Sequence, residues 1–162
     1  MSESTLIPEA LGPEGLSDLL EFAQGLDLSD PEAAVTLLEE HFPFEGARIQ
    51  ELGAALCQAR DREEICQHGT DEMRYSRLFK ASHSPFQVSA DAVWMQIPGP
   101  HHTHPQGEID LCFATDGEPT FDGRPPGWTV YPPGSAHRPT VSGGSMMILY
   151  LLPGGEIVFT RN

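Results

Sequence analysis

The chain has 162 residues, the size of one domain with a substantial core. It carries 24 acidic residues against 9 Lys and Arg, a formal net charge of -15. Such a surface repels the phosphates of nucleic acids and of anionic lipids, so we expect neither nucleic acid nor membrane as a partner. The longest apolar run, Met146 to Leu152, is too short to span a bilayer. The first residues lack the pattern of a secretory leader, and we expect a soluble cytoplasmic protein.

The N-terminal part of the chain, residues 1–68, is predicted to be a helical segment. Ser17 is placed to cap a first helix, and Asp30 followed by Pro31 is typical of the start of a second. From about residue 15 the apolar residues recur at helical spacing in three groups: Leu16, Leu19, Leu20 and Ala23; Ala34, Leu37, Leu38 and His41; Ile49, Leu52, Leu56 and Ala59. We therefore predict three helices.

Residues 69–162 are predicted to form a small β-barrel domain. From Met73 onward, β-branched and aromatic residues occur in short runs separated by Gly and Pro. The stretch from Gly117 to Gly127 is rich in Pro and Gly and is predicted to be a loop. The predicted strands are Arg74–Lys80, Phe86–Ile97, Glu108–Ala114, Trp128–Tyr131, Arg138–Val141, Met146–Leu152 and Glu156–Thr160. The fold class is thus mainly β with α, a barrel preceded by helices.

A group of histidines and one acid indicates a metal site. His102 and His104 are two residues apart, so on a strand both imidazoles point to the same face. Glu108 follows a short turn, and His137 follows a Pro-x-Gly turn from which a neighbouring strand can bring it beside the first pair. Three imidazoles and a carboxylate suit one divalent ion, such as Zn, Fe, Mn, Ni or Co. The alternative interpretation is exposed loop histidines and a solvated acid.

The order of these residues, H-x-H-x(3)-E followed by P-x-G-x-x-H, resembles the two metal-binding motifs of the cupin superfamily. The resemblance implies a cupin-type β-barrel in residues 69–162. It also implies that His102, His104, Glu108 and His137 are the metal ligands.

Alternation along residues 108–113 indicates which other side chains lie near this site. If Glu108 faces the metal, Asp110 and Cys112 point the same way, and the opposite face carries Ile109, Leu111 and Phe113. An inward Asp110 either transfers protons or orients a ligand histidine, whereas Cys112 is expected to be packing. Tyr131 either offers a phenol near the metal or packs in the barrel. We take Glu108, Asp110 and Tyr131 as the candidate catalytic residues.

Basic residues are scarce, so their positions are informative. A guanidinium binds a carboxylate through paired hydrogen bonds, which makes Arg74, Arg77 and Arg138 candidates for holding an acidic aromatic substrate. Alternation places Arg77 with Tyr75 and Phe79 on one face of their strand, and Arg74 on the other. The alternative for each arginine is an ion pair with one of the many surface acids.

Four segments carry a narrower resemblance: RYSRLFK, GPHHTHPQGEIDLCF, FDGRPPGWTVYPPGSAHRPTVSGG and ILYLLPGGEIVF. They resemble the bacterial 4-hydroxylaminobenzoate lyases. The resemblance implies conversion of 4-hydroxylaminobenzoate to 3,4-dihydroxybenzoate with release of ammonia, in nitroaromatic catabolism. It implies a small aromatic acid as partner, and a homodimer is kept as an option. A metal-free version of this chemistry, a cupin dioxygenase and a non-catalytic cupin that binds aromatic acids remain as alternatives.

Overall fold

The computed structural model describes residues 7–159. Its helices are α1 (Ser17–Gln24), α2 (Pro31–His41) and α3 (Ala47–Asp61), with short 3-10 turns at Glu9–Leu11 and Ala81–His83. The prediction of three helices is confirmed. Asp30 caps α2, since its carboxylate accepts a bond from the Ala33 amide at 3.2 Å. The prediction for Ser17 was wrong: the preceding turn runs directly into α1, so Ser17 is its first helical residue and caps nothing.

The strands form two antiparallel sheets. The larger has six strands in the order β1-β2-β3-β8-β5-β6, and the smaller has three in the order β7-β4-β9. Their bounds are β1 His68–Gly69, β2 Met73–Phe79, β3 Val88–Met95, β4 His102–His104, β5 Glu108–Phe121, β6 Gly127–Tyr131, β7 Ser135–His137, β8 Val141–Pro153 and β9 Val158–Phe159. The fold class, mainly β with helices at the N-terminal side, is confirmed.

Most predicted strands exist, but several bounds were wrong. β5 and β8 are longer than expected, because they pair with each other as far as Phe121 and Val141 and absorb much of the predicted loop. Residues 138–140, predicted as a strand, lie between β7 and β8 instead. The last strand covers only Val158 and Phe159, and Thr160 lies outside the described residues.

The larger sheet packs against the helices on one face. Its apolar residues on that face form a single cluster with those of the helices, including Leu20, Leu56, Leu111 and Leu149. The other face contributes a second, smaller cluster that includes Cys112 and Tyr150. Because helices and sheet share one core, the predicted division between residues 68 and 69 stays a prediction. That division falls within β1, which follows the end of α3 at Asp61. Among the described residues, none of the helices has the length and apolarity needed to cross a membrane.

Candidate metal centre and adjoining cavity

Four side chains from three strands converge between the two sheets. β4 carries His102 and His104, whose imidazoles lie on one side because the residues are two apart. β7 pairs with β4 so that His137 lies opposite His102, as the sequence led us to expect. Glu108 is the first residue of β5 in the larger sheet. The ligand atoms of these four residues all lie within 4.8 Å of one another.

The glutamate lies at the middle of this group. Its Oε1 is 3.0 Å from His102 Nε2 and 3.4 Å from His104 Nε2, and its Oε2 is 3.7 Å from His137 Nε2. The three imidazole rings are almost equidistant, with centroids 4.8 Å, 4.8 Å and 4.9 Å apart. His102, His104 and Glu108 are buried, and His137 is only slightly exposed. The interpretation as loop histidines and a solvated acid was therefore wrong.

Hydrogen bonds on the outer side of the rings determine which nitrogen faces the centre. The Ser135 hydroxyl donates to the Pro132 carbonyl at 2.7 Å, so its oxygen accepts the Nδ1–H of His104 at 2.8 Å. The Nδ1–H of His137 donates to a carboxylate oxygen of Asp122 at 2.6 Å. When the two rings are neutral, their Nε2 lone pairs are consequently directed at the centre.

These residues fit a divalent ion. His104 Nε2, His137 Nε2 and Glu108 Oε2 are buried atoms without a hydrogen-bond partner within the described part of the chain. Buried polar atoms are rarely left unpaired, because each costs about 1–3 kcal/mol. A cation bound by three imidazole nitrogens and one carboxylate would satisfy all of them, and this donor set suits Zn, Fe, Mn, Ni or Co.

The electrostatics of the metal-free site separate two neighbouring acids. Burial acts to raise the pKa of Glu108, but the close approach of Asp110, His102 and His137 outweighs it and holds that pKa well below its usual range. Of these three neighbours, only His102 lies within hydrogen-bond distance, at 3.0 Å. Burial, followed by the charge of Glu108, raises the pKa of Asp110 well above its ordinary value. Glu108 is therefore the charged member of the pair, and Asp110 holds a proton beside it.

The histidines also differ. Burial lowers the pKa of His104 to about 4. For His137, burial is outweighed by the hydrogen bonds and charges of Asp122 and Glu108, which raise its pKa to about 9. In the absence of a metal, the acidic neighbours of His137 therefore favour its doubly protonated, positively charged form.

The predicted alternation along β5 is confirmed. Glu108, Asp110 and Cys112 are fully buried on the side of the centre. The alternate residues Ile109, Leu111 and Phe113 belong to the cluster shared with the helices. Among residues 7–159, neither oxygen of Asp110 has a hydrogen-bond partner, and the charge of the neighbouring Glu108 carboxylate acts on it. Asp110 thus lies next to the candidate ligand Glu108 on the same face of β5.

Asp122 belongs to the site but was not predicted. One of its carboxylate oxygens accepts hydrogen bonds from His137 and from the hydroxyl of Tyr131, and the other accepts from the Thr140 amide at 2.8 Å. The Tyr131 ring packs on His104 and His137, with centroids 5.3 Å and 4.1 Å away. The Asp122-Gly123 pair is a strong signal for a tight hairpin and was the available clue.

The three predicted arginines lie in different places. Arg74 donates to the carbonyls of Cys66 and Gln67 at 3.0 Å and 2.9 Å, and it lines a separate cleft on the helical side. Arg138, next to His137, donates to the Gly99 carbonyl at 3.0 Å. Of the three, Arg77 is the one that lines the cavity beside the metal centre.

That cavity has a volume of about 670 Å³ and opens next to His102. Its walls include Tyr75, Arg77, Asp91, His102, Tyr150 and Phe159. Arg77 donates from Nε and Nη2 to the two oxygens of Asp91, at 2.7 Å and 3.2 Å. The volume lies in the range usual for small-molecule sites, and a cavity with aromatic walls and few polar groups suits an aromatic ligand.

One face prediction on β2 was wrong. Tyr75 and Arg77 share the face of the cavity as expected, but Phe79 packs with the helices. A bulge between Arg77 and Phe79 shifts the pairing with β3 and reverses the alternation.

Comparison with known proteins assigns the chain to a family. The family model described as PnbB: 4-hydroxylaminobenzoate lyase matches residues 19–159. The chain belongs to the 4-hydroxylaminobenzoate lyase family. The match includes α2, α3, both sheets, the four residues of the candidate metal centre, and all of α1 except its first two residues.

Two proteins named 4-hydroxylaminobenzoate lyase are similar to this lyase-family chain. The one from Pseudomonas putida is 30% identical over 102 residues, which cover 53% of this chain and 58% of that protein. The one from Nocardioides sp. (strain LMS-CY) is 32% identical over 94 residues, covering 53% of this chain and 56% of that protein. The matched segment thus spans little more than half the length of either relative.

The solved structures with similar chain paths include two proteins of low sequence identity. The polyketide cyclase RemF from Streptomyces resistomycificus has a TM-score of 0.42 and 15% identity, over 58% of this chain and 75% of that one. An RmlC-like cupin protein from Ralstonia eutropha has a TM-score of 0.44 and 12% identity, over 60% and 66%.

Proposed function

We propose that this protein is a lyase that converts 4-hydroxylaminobenzoate, or a closely related aryl hydroxylamine, to 3,4-dihydroxybenzoate and ammonia. The observation that supports it most is the meeting of four buried candidate ligands beside an aromatic-walled cavity, in a chain that belongs to this lyase family. The overall reaction consumes one water molecule and needs no external oxidant. Cleavage of the N–O bond reduces the nitrogen, which balances the replacement of hydrogen by hydroxyl at C3 of the ring. Hydrolysis of the C4–N bond then places the second hydroxyl on C4 and releases ammonia.

The proposed ligands are His102, His104, Glu108 and His137. A divalent ion held by them would supply Lewis acidity for loss of the hydroxylamine oxygen and for addition of water. The chain's own part begins with His104 and His137, whose Nε2 lone pairs are turned inward by bonds made on the other side of the neutral rings. Glu108 adds one negative charge to an otherwise neutral set of donors.

Asp110 is proposed as the residue that holds and moves a proton. It is fully buried, and its carboxyl lies beside that of Glu108. Loss of the hydroxyl group requires a proton on the departing oxygen, and release of ammonia requires protons on nitrogen. Since Asp110 does not line the cavity, its proton reaches the substrate by way of the groups at the centre.

The cavity is the proposed substrate site, and Arg77 is the proposed partner of the benzoate carboxylate. The substrate ring would lie against the aromatic wall, which includes Tyr75 and Phe159. Arg77 is already oriented by Asp91, which holds its Nε and Nη2 groups. In this arrangement the hydroxylamine group points toward His102 and the metal centre. The hydroxyl of Tyr131 is bonded to Asp122, so we propose that Tyr131 supports His137 and His104 rather than reacting.

The direct test is an anaerobic assay of the metal-loaded protein with 4-hydroxylaminobenzoate and no nicotinamide cofactor. We expect ammonia and 3,4-dihydroxybenzoate in equal amounts. If neither product forms while the protein still binds the substrate, a non-catalytic binding protein is the better description. Product formation that requires oxygen would favour a dioxygenase.

The proposed contact between Arg77 and the carboxylate of the substrate is tested by Arg77→Lys. The paired hydrogen bonds of a guanidinium become a single point charge, so we expect kcat/KM for 4-hydroxylaminobenzoate to fall by about tenfold or more. The loss should be small for phenylhydroxylamine, which has no carboxylate. Arg48→Lys is a matched control, because Arg48 forms the same kind of paired contact with Asp18 on the helical side.

The role of Asp110 is tested by Asp110→Asn. An asparagine can still donate a hydrogen bond to Glu108, but it cannot release the proton. We therefore expect kcat to fall by about 100-fold or more with metal affinity and KM nearly unchanged. Unchanged turnover would mean that Asp110 acts only as a neutral donor to the ligand.

A further inference from the structure

We propose that Asp122 is the positioning residue for His137, because its carboxylate forces the Nε2 lone pair of that ring to face the metal centre. The inference rests on the proposed metal-dependent function. It concerns a residue that lies outside both sequence motifs and that is not a ligand itself.

Asp122 lies in a tight turn that places its side chain at the site. The backbones of Phe121 and Arg124 exchange two hydrogen bonds, 2.8 Å and 2.9 Å long, around the Asp122-Gly123 pair. Both turn residues have positive φ, 51° and 83°. This is the geometry that Asp-Gly pairs favour in two-residue hairpins, and Asn tolerates it as well as Asp does.

The carboxylate of Asp122 is fixed in orientation. Its Oδ1 accepts from the Thr140 amide at 2.8 Å, and its Oδ2 accepts from His137 Nδ1 at 2.6 Å and from the Tyr131 hydroxyl. With both oxygens engaged, the group cannot rotate without breaking a bond. The side chain is also largely buried, which strengthens each of these contacts.

The contact with Asp122 determines which nitrogen of His137 carries the hydrogen. An ionised carboxylate only accepts hydrogen bonds, so the hydrogen of a neutral His137 ring must be on Nδ1. The Nε2 atom, which is buried 3.7 Å from Glu108 Oε2 and has no hydrogen-bond partner there, is then free to bind a cation. Carboxylates that hold metal-binding histidines in this manner typically change metal affinity by about 10- to 100-fold when removed.

Asp122→Asn should favour the opposite tautomer of His137 with almost no change in the shape of the side chain. The Oδ1 of asparagine can keep the Thr140 amide, which turns the NH₂ group toward His137. That NH₂ group donates, so it favours a ring with the hydrogen on Nε2, the nitrogen that must be bare to bind a metal. The substitution therefore tests tautomer control and leaves the turn intact.

The experiment titrates the metal-free full chain with Zn²⁺ in competition with a chelating dye. We expect Asp122→Asn to bind Zn²⁺ about 10- to 100-fold more weakly than the parent protein. Asp116→Asn, which removes an exposed charge from β5, should bind as the parent does. Equal affinity of Asp122→Asn and the parent would overturn the inference, as would an equal loss in Asp116→Asn.

A second readout does not depend on metal. In the proton NMR spectrum of the metal-free protein, the Nδ1–H of His137 should give a strongly deshielded signal, assigned by its loss in His137→Gln. We expect Asp122→Asn to lose or shift it and Asp116→Asn to keep it. If the parent binds no Zn²⁺, the proposed metal function fails, and the Nδ1–H signal alone then tests whether Asp122 positions His137. Absence of this signal from the parent protein would overturn the positioning role.

Discussion

The two faces of the first part of β5, residues 108–113, are both buried but differ in chemistry. On one side Ile109 and Leu111 pack with the helices in an entirely apolar environment. On the other side Glu108 and Asp110 are just as inaccessible, yet carry polar atoms that lack hydrogen-bond partners within the described chain. The apolar face stabilises the fold by removing hydrocarbon from water, whereas the polar face destabilises it until a ligand satisfies its atoms.

This difference teaches that burial alone says little about what a residue does. The helices serve the site indirectly: by covering the far side of the sheet, they hold β5 in a fixed register. Substitutions on the apolar face should therefore lower the stability of the fold, whereas substitutions on the polar face should weaken metal binding. The predictions below are ordered by the size of the effect that we expect.

Glu108→Gln should have the largest effect on the polar face. It removes the only carboxylate of the proposed ligand set, so Zn²⁺ affinity should fall by more than about 100-fold. A Zn²⁺ titration in competition with a chelating dye measures this loss. Affinity equal to that of the parent would mean that Glu108 is not a ligand and that the two faces are not functionally distinct.

Leu111→Ala should show the opposite behaviour. Leu111 is fully buried on the helical face, and its truncation leaves a cavity that should lower the free energy of unfolding by about 2–5 kcal/mol. The variant that remains folded should bind Zn²⁺ with unchanged stoichiometry. Urea unfolding of the metal-free protein and a dye titration measure the two properties separately.

Gly53→Ala tests the contact between α3 and the same face of β5. A Cβ at this position would lie 2.6 Å from two ring carbons of Phe113. We expect a loss of about 1–3 kcal/mol in unfolding free energy, larger than the gain of about 1 kcal/mol in helix propensity. The double variant with Phe113→Leu should recover part of the loss. Gly25→Ala is the control, because its nearest neighbouring atom lies 4.0 Å away.

The smallest effect concerns the contact that ties α1 to α3. The hydrogen bond from Arg48, opposed in part by burial, lowers the pKa of Asp18 below its usual value. The contact therefore stabilises the folded state above the ordinary pKa of aspartate, and its contribution is lost as pH falls through the lowered value. The difference in stability between the parent and Asp18→Asn should shrink below about pH 4. A constant difference between pH 7 and pH 3 would contradict this assignment.

Local pattern was sufficient to predict much of the site. The spacing of His102 and His104 and the period of β5 determine which side chains point together, whatever the rest of the chain does. Asp122 could not be found in this way. It meets His137 only because β5 and β8 continue as a twisted pair beyond Ala114, which the Gly and Pro residues of that stretch obscured. The position of Phe79 depends on a bulge, for which the sequence has no reliable signal.

The shape of β5 has a consequence for how the site tolerates changes in chain length. The strand has 14 residues, which would span roughly 45 Å if straight. Its first residue, Glu108, and the residue after its last, Asp122, nevertheless both lie within 4 Å of His137, at 3.7 Å and 2.6 Å. The strand must curl back on itself, and the pairing shifts at residues 114–116 and 117–120 are where it does so. An inserted or deleted residue there would separate His137 from one of its two carboxylates, even with every side chain of the site unchanged.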